Sequence, residues 1–176
     1  MRVLLGTVAL GLSALMPAGA SAQDFGAAFA GFDTGSNEPI QIEADRLEVR
    51  DPEQLAIYSG NVIVRQGATV LEAPELRVFY TGESPGPDAP GSEVERLEAG
   101  VGVVVRSGDR TASGNQAILD MAQDIVTMTG NVVLTEGTNV VRGERLIVNL
   151  ETDQGRMEGG RVQTLITPGG GEAGSQ

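Results

Sequence analysis

The chain has 176 residues and carries 24 acidic residues against 12 basic ones, which gives a net charge of −12 at pH 7. Such a negative charge argues against a nucleic-acid partner, because phosphate backbones recruit basic patches. The sequence has no histidine and no cysteine, and every basic residue is an arginine; this excludes disulfides, thiolate metal sites, histidine-based triads and Schiff-base lysines.

Residues 1–22 have the three-part pattern of a secretory signal peptide. Arg2 supplies a minimal positive region, residues 3–16 form an apolar run, and Ala20 and Ala22 belong to a small-residue cleavage site. The run is shorter than the roughly 20 apolar residues that span a bilayer, and no cysteine follows it for a lipid anchor. We therefore expect export of the chain and cleavage after Ala22.

Three segments are predicted after the cleavage site. Residues 23–38 are rich in glycine, alanine and phenylalanine and predict a flexible arm, which also suits docking on a partner. Its phenylalanines are Phe25, Phe29 and Phe32. Residues 39–167 are strand-like throughout, because runs of Val, Ile, Leu and Thr alternate with polar residues between Gly-containing turns. Residues 168–176 are Gly-rich and predict a disordered tail.

Internal repetition is the strongest pattern in the sequence. Residues 59–64 (SGNVIV) align with 129–134 (TGNVVL) at an offset of 70, and residues 102–105 align with 131–134 at an offset of 29. The first and middle copies are 12 residues further apart than this step, which matches a Pro- and Gly-rich insertion at residues 81–92. We therefore expect about four copies of a 29-residue strand unit with one loop insertion.

Two kinds of strand recur in these units. Residues 46–50 alternate two aliphatic with three charged side chains, which is the pattern of a half-buried strand. Residues 62–64, 103–105 and 132–134 are apolar on both faces, which suits strands that also face a greasy ligand or a second sheet. Because such units must stack to bury their faces, we expect an all-β, elongated and twisted β-jellyroll or β-roll. Its open edges would invite strand addition by another chain.

Four short motifs of this chain resemble the OstA-like family. They are IQIEAD at residues 40–45, YSGNV at 58–62, GNQA at 114–117 and TGNV at 129–132. The resemblance covers residues 39–167, nearly all of the predicted mature chain. Within this family, LptC-like proteins keep a membrane anchor and LptD-like proteins carry a much larger membrane domain. The chain therefore resembles the single-domain periplasmic members that transport lipopolysaccharide.

The resemblance implies a twisted β-jellyroll of antiparallel strands, whose greasy groove shields the acyl chains of lipid A while the sugars stay outside. It implies a carrier in the periplasm that has no cofactor and catalyses no reaction. It also implies that such jellyrolls join head to tail into a bridge from the inner to the outer membrane. An LptC-like inner-membrane protein would bind the N-terminal edge, and the N-terminal domain of LptD would bind the C-terminal edge.

The aliphatic residues in the inward phase of the predicted strands are the candidates for lining this groove. They are Ile42, Leu47, Val49, Val62, Val64, Leu76, Val78, Val103, Val105, Leu119, Val132, Leu134, Leu146 and Val148. Core packing and groove lining share the same phase of a strand, so alternation alone does not separate the two roles. With four Phe, two Tyr and no Trp in the chain, an interior lined by Val, Leu and Ile favours an adaptable slot for acyl chains.

Two other functions stay open. One is an exported structural or adhesive repeat β-protein without lipid cargo, which a sealed core rather than an open groove would indicate. The other is a carboxylate-based enzyme on a β-solenoid, in which Glu43 with Asp45, or Asp120 with Asp124, would form the catalytic pair. Strand alternation accounts for most carboxylates without catalysis. A GxSxG string at residues 82–86 lacks the histidine that a nucleophile elbow requires.

Overall fold

The described part of the chain is all-β, as the sequence predicts. The computed structural model describes residues 28, 29, 32, 38–82, 86–87 and 91–167. The predicted signal peptide at residues 1–22 and the predicted tail at 168–176 lie outside the described residues. Among the described residues, no helix has the length and apolar character needed to cross a membrane.

In this part of the chain, ten strands form one antiparallel sheet. They are β1 (Gln41–Glu43), β2 (Arg46–Arg50), β3 (Leu55–Gln66), β4 (Thr69–Thr81), β5 (Glu93–Ser107), β6 (Arg110–Asp120), β7 (Ile125–Glu136), β8 (Asn139–Asn149), β9 (Gln154–Glu158) and β10 (Gln163–Leu165). The order across the sheet is β1-β3-β4-β5-β6-β7-β8-β10, with β2 also paired to β3 and β9 also paired to β8. One edge of the sheet is therefore formed by β1 with β2, and the other by β9 with β10.

Each long strand bends near its middle, and the bends divide the sheet into two halves. β1 pairs with the C-terminal half of β3, whereas β2 pairs with its N-terminal half. We call the half that contains β1 and β10 the first half-sheet, and the half that contains β2 and β9 the second half-sheet. The strand register shifts at each bend of the long strands, as it does at a β-bulge.

Glycine and asparagine form the bends of two of these strands. The bends of β3 and β7 fall at Gly60–Asn61 and Gly130–Asn131, and all four residues have positive φ. Both residue types tolerate left-handed backbone better than other residues do. The recurring Gly-Asn pair in the sequence therefore marks the corners of the fold.

The Pro- and Gly-rich insertion connects β4 to β5 without changing the strand order. Thr81 pairs with Glu93, so the two strands are hydrogen-bonded neighbours on either side of the insertion. The backbone N–H of Gly86 donates a 3.1 Å hydrogen bond to the Tyr80 hydroxyl, which ties the loop to a buried side chain. The insertion is therefore a long hairpin loop, and the strand meander continues past it.

The core lies between the inner faces of the two half-sheets. Alternate residues along each strand point inward, and the buried ones form one cluster that includes residues of all six long strands. Val62, Val103 and Val132 lie beside the bends of β3, β5 and β7 and are buried. Leu76 and Leu146, in the second half-sheet, belong to the same cluster. A single bent sheet thus encloses its own core.

Candidate functional site

Three cross-strand rows of inward side chains form an apolar wall around the interior. In the second half-sheet, one row is Val49, Ala56, Val78, Leu97, Leu119, Val126 and Val148. The row beside it is Leu47, Tyr58, Leu76, Ala99, Ala117, Met128, Leu146 and Met157. In the first half-sheet, a third row is Ile42, Val64, Leu71, Val105, Ala112, Leu134 and Val141. The wall therefore runs from β2 to β9 in the second half-sheet and from β1 to β8 in the first, without a charged side chain.

A small cavity of about 30 Å³ lies between the two half-sheets. It is lined by Phe29, Phe32, Val64, Leu71, Leu76, Leu97, Ala99, Val105, Ala117, Ile118, Leu119 and Val126. All of these residues are apolar, and they come from both half-sheets and from the N-terminal arm. Pockets for small ligands typically have about 300–1,000 Å³, so with Phe29 and Phe32 in place this space is too small for an acyl chain, although its lining has the apolar character that one would need.

The predicted N-terminal arm contributes directly to this interior. Phe29 is 1% exposed and Phe32 is 5% exposed. The backbone N–H of Phe32 donates a 2.8 Å hydrogen bond to the carbonyl oxygen of Phe29, so one turn of chain brings both residues to the same site. Ala28 is fully buried beside them. These three residues pack on the core of their own chain, and Phe25 lies outside the described residues.

The predicted groove residues all occupy inward strand positions. Eleven of the fourteen are buried, and Ile42 is partly buried against the core. Leu47 and Val49 share the inward phase but are 50% and 41% exposed. The reason is that β2 is an edge strand with no neighbour beyond it in the described structure. Four of the predicted residues line the cavity itself, namely Val64, Leu76, Val105 and Leu119.

Several residues of the cavity wall were not among those predicted. Leu71, Leu97 and Val126 occupy the same inward rows as predicted residues. Strand alternation was the signal that could have found them, since each lies two positions from another inward residue. Phe29 and Phe32 offered no such signal, because the apolar residues of the arm have no regular spacing and the residues they contact are distant in sequence.

The strands that are apolar on both faces do not lie between two sheets. Their middle residues Ile63, Val104 and Val133 point away from the core and are partly exposed. Across the strands they alternate with Glu72 and Ser113. No second sheet covers them in the described structure. The outer surface therefore carries single apolar side chains between polar neighbours, which is ordinary for a protein surface.

Ion pairs occupy the outer surface of the sheet. Arg106 pairs with Glu72 at 2.7 Å, across the neighbouring strands β5 and β4. On the edge strand β2, the Arg50 guanidinium donates a 2.7 Å hydrogen bond to Glu48. This hydrogen bond, together with charge attraction, raises the pKa of Arg50 above its ordinary value. Such exposed pairs contribute little to stability, and they leave the apolar wall free of charge.

A polar row borders the inner face along the rim of the first half-sheet. The Thr69 side chain is fully buried, and its hydroxyl donates a 3.0 Å hydrogen bond to the Ser107 hydroxyl. Arg110, the next residue across the strands, pairs with Glu136 at 2.8 Å. The apolar interior therefore ends at a line of polar side chains that form hydrogen bonds and ion pairs with one another.

The carboxylates considered for catalysis have structural contacts. Asp45 Oδ2 accepts a 2.9 Å hydrogen bond from the Asn61 side-chain amide at the first bend. Asp120 Oδ1 accepts hydrogen bonds from the backbone N–H groups of Ala122 and Gln123, at 3.1 and 3.0 Å, and so caps the turn after β6. Over the described ranges, no group of three or more acidic side chains is placed to hold a metal ion.

Both edges of the sheet expose apolar side chains. Leu47 and Val49 do so at the β2 edge, and Leu165 and Ile166 are 62% and 60% exposed at the β10 edge. An edge strand also carries backbone N–H and C=O groups without ladder partners. Each edge of the sheet thus presents both hydrogen-bonding groups and exposed apolar side chains.

Comparison with known proteins assigns this architecture to a family. Residues 41–154 match the family of LptA and LptD N-terminal domain lipopolysaccharide transport proteins. The chain belongs to this family. It is also 36% identical, over 167 residues, to an uncharacterised protein of Rhizobium meliloti strain 1021, an alignment that covers 93% of this chain and 89% of that protein. The resemblance seen in the sequence motifs is confirmed.

Relatives with assigned roles are more distant. The lipopolysaccharide export system protein LptA of Escherichia coli K12 is 23% identical over 142 residues, covering 76% of this chain and 73% of LptA. The assembly protein LptD of Photobacterium profundum is 28% identical over 138 residues, which are 78% of this chain but 12% of LptD. The crystal structure of Pseudomonas aeruginosa LptH, a periplasmic LptA homologue, has the same fold, with a TM-score of 0.63 over 77% of this chain and all of that one, at 18% identity.

Proposed function

We propose that the protein carries lipopolysaccharide through the periplasm and shields the acyl chains of lipid A in its interior. Membership of the LptA and LptD N-terminal domain family supports the lipopolysaccharide cargo. The observation that carries the proposal is the apolar lining of the interior, to which both half-sheets contribute. An acyl chain is the part of such a lipid that this lining would accept.

Burial of hydrocarbon supplies the driving force for binding. Each methylene group removed from water contributes about 0.8 kcal/mol before ordering costs. Aliphatic side chains such as Val64, Leu97 and Leu119 offer contact without directional bonds, so an acyl chain would keep its affinity while it slides along the wall. The polar rim at Arg110 and Glu136 is where sugars and phosphates would leave the interior.

The proposed carrier is passive and is not an enzyme. The carboxylates that could have formed a catalytic pair, Asp45 and Asp120, are engaged in a bend and a turn. The sequence also has no lysine to bind nucleotide phosphates in a P-loop. Energy to move the lipid would therefore come from proteins upstream of this one.

Strand addition at the two edges would join the carrier to its neighbours. The β1 and β2 edge would accept an LptC-like inner-membrane protein, and the β9 and β10 edge the N-terminal domain of LptD. Copies of the chain would join head to tail by the same contacts, because an open edge strand accepts a further strand. Since the apolar rows reach both edges, the joined sheets would share one continuous wall.

A second function, that of an exported structural or adhesive β-protein, has one observation in its favour. Eleven of the fourteen predicted groove residues are buried as tightly as an ordinary core. In that case the cavity would be a packing gap and no lipid would enter it.

Photo-crosslinking in the periplasm distinguishes these two functions. A photoreactive amino acid at Leu71, which is partly buried and lines the cavity, should form adducts with lipopolysaccharide. The same amino acid at Val70, the adjacent residue on the outer face, should form none. Adducts at both positions, or at neither position in folded and exported protein, would contradict the carrier. Leu97 and Arg96 provide a second pair of the same design.

A further inference from the structure

Two phenylalanines of the N-terminal arm occupy the interior that the proposed cargo needs. Phe29 and Phe32 lie between the half-sheets and form part of the cavity wall. Their partners there include Val64 and Val105 from the first half-sheet and Leu119 from the second. The arm therefore reaches the middle of the interior and does not merely cover an end.

The chemistry of the arm matches that of an acyl chain. A phenylalanine ring is apolar over its whole surface and has no polar tip that must reach water. The same wall would bind a ring or a hydrocarbon chain through contact and burial alone. Because protein interiors are close-packed, the two occupants cannot fill one volume together. Either the rings or an acyl chain can contact this part of the wall.

We propose that Phe29 and Phe32 form an intramolecular plug that competes with acyl chains for the interior of the sheet. This inference rests on the proposed lipid-carrier function. In the free protein the plug shields the apolar wall from water. When the lipid binds, it displaces the plug. The observed dissociation constant is then the intrinsic one divided by the fraction of protein with the plug out.

The plug has a consequence for a protein that must pass its cargo on. Return of the rings to the wall accompanies release of the lipid, so the interior does not become exposed to water when it empties. The plug weakens binding and eases release at once, because a ligand and a competing segment shift the same equilibrium in opposite directions. A carrier with a plug therefore holds its lipid less tightly than an open groove would.

Removal of the plug tests the proposal. The double variant Phe29→Ser with Phe32→Ser should bind cis-parinaric acid, a fatty acid that fluoresces in apolar surroundings, about tenfold more tightly than the wild type does. Purified lipopolysaccharide should displace the probe at correspondingly lower concentration. Val101→Gly, at an exposed position on the outer surface, is the control variant and should bind as the wild type does. Circular dichroism verifies that each variant is folded.

The outcomes separate the plug from the carrier. Equal or weaker binding by the folded double variant, with binding by the wild type, would overturn the plug and leave the carrier standing. No binding of the fatty acid or of lipopolysaccharide to either protein would overturn both.

A tryptophan reporter tests the plug without removing it. The chain has no tryptophan, so Phe32→Trp introduces a single probe into the interior. Saturating lipopolysaccharide should increase the quenching of this tryptophan by acrylamide, because the ring leaves the wall. Phe79→Trp, on the outer face under Arg96, should show no change. If the tryptophan of the Phe32→Trp variant stays protected at saturating lipid, the proposal is overturned even if the double variant fails to fold.

Discussion

Val101 adopts at the bend of β5 the left-handed backbone that Gly130 adopts at the bend of β7, with φ of +58° and +78°. The two residues are 29 positions apart, the step of the sequence repeat. A β-branched residue is a genuine outlier at positive φ, because its side chain collides with the backbone. Val101 is 80% exposed, so burial of its side chain does not offset this strain.

Val101→Gly should stabilise the protein. Glycine removes a left-handed strain of about 1–2 kcal/mol and loses about 0.4–1 kcal/mol through the freer unfolded chain, so we expect a net gain of about 0.5–1 kcal/mol. Urea unfolding measures it as a higher midpoint at unchanged slope. Val133→Gly, on the outer face of β7 without positive φ, is the control and should be destabilised. A lower midpoint for Val101→Gly would contradict a strained bend.

Gly130 meets a second constraint that Gly137 does not. A Cβ at Gly130 would lie 2.6 Å from Nδ2 and 2.8 Å from Cβ of Asn115. Among the described residues, a Cβ at Gly137 would meet no atom within 4 Å apart from its two chain neighbours. Both glycines have positive φ, +78° and +55°. Substitution of Gly137 therefore tests backbone strain alone, whereas substitution of Gly130 tests backbone strain together with a steric clash at the bend.

Gly137→Ala should lower the free energy of unfolding by about 1 kcal/mol, the strain of a left-handed alanine. Gly130→Ala should lower it by about 3 kcal/mol, because the clash with Asn115 adds the cost of overpacking. Chemical denaturation of both variants gives the comparison. Similar losses for the two would show that Asn115 moves aside without cost.

The sequence predicted the faces of the strands for a physical reason. It predicted turns at the Gly-containing positions, where the long strands β3 and β7 instead bend and continue. Side chains alternate along a strand, so Leu76 and Val78 follow from local pattern alone. Left-handed corners select glycine and asparagine, which is why Gly60–Asn61 recurs as Gly130–Asn131. The bend at Val101 could not be predicted in this way, because valine rarely adopts positive φ and so gives no local signal of it.

Contacts between distant segments were beyond the sequence pattern. Phe29 lies in the interior because two half-sheets enclose an apolar space between them, and no property of residues 23–38 encodes that space. Leu47 and Leu76 share one inward row, yet one lies on an edge strand and the other in the centre. The phase of a strand reveals which face a residue joins. It does not reveal how many strands cover that face.

This difference between edge and centre predicts unequal effects of one substitution. Leu76→Ala should lower the free energy of unfolding by about 2–5 kcal/mol, as expected for a buried leucine in a packed core. Leu47→Ala should lower it by about 1 kcal/mol or less, because half of its surface is already exposed. Thermal or urea unfolding of the isolated chain at low concentration provides the measurement. An equal loss at both positions would mean that another segment covers Leu47 in solution.

Val49→Asp should weaken association of the chain with itself. Val49 points inward from the edge strand β2 and is 41% exposed. A further strand added at that edge would cover it, and an unpaired carboxylate is costly to bury at an apolar contact. Sedimentation velocity over a range of concentrations should show association of the wild type and a monomeric variant. Thr127→Asp adds the same charge on the outer face of the central strand β7 and should associate like the wild type. Unchanged association of Val49→Asp would contradict joining through the β2 edge.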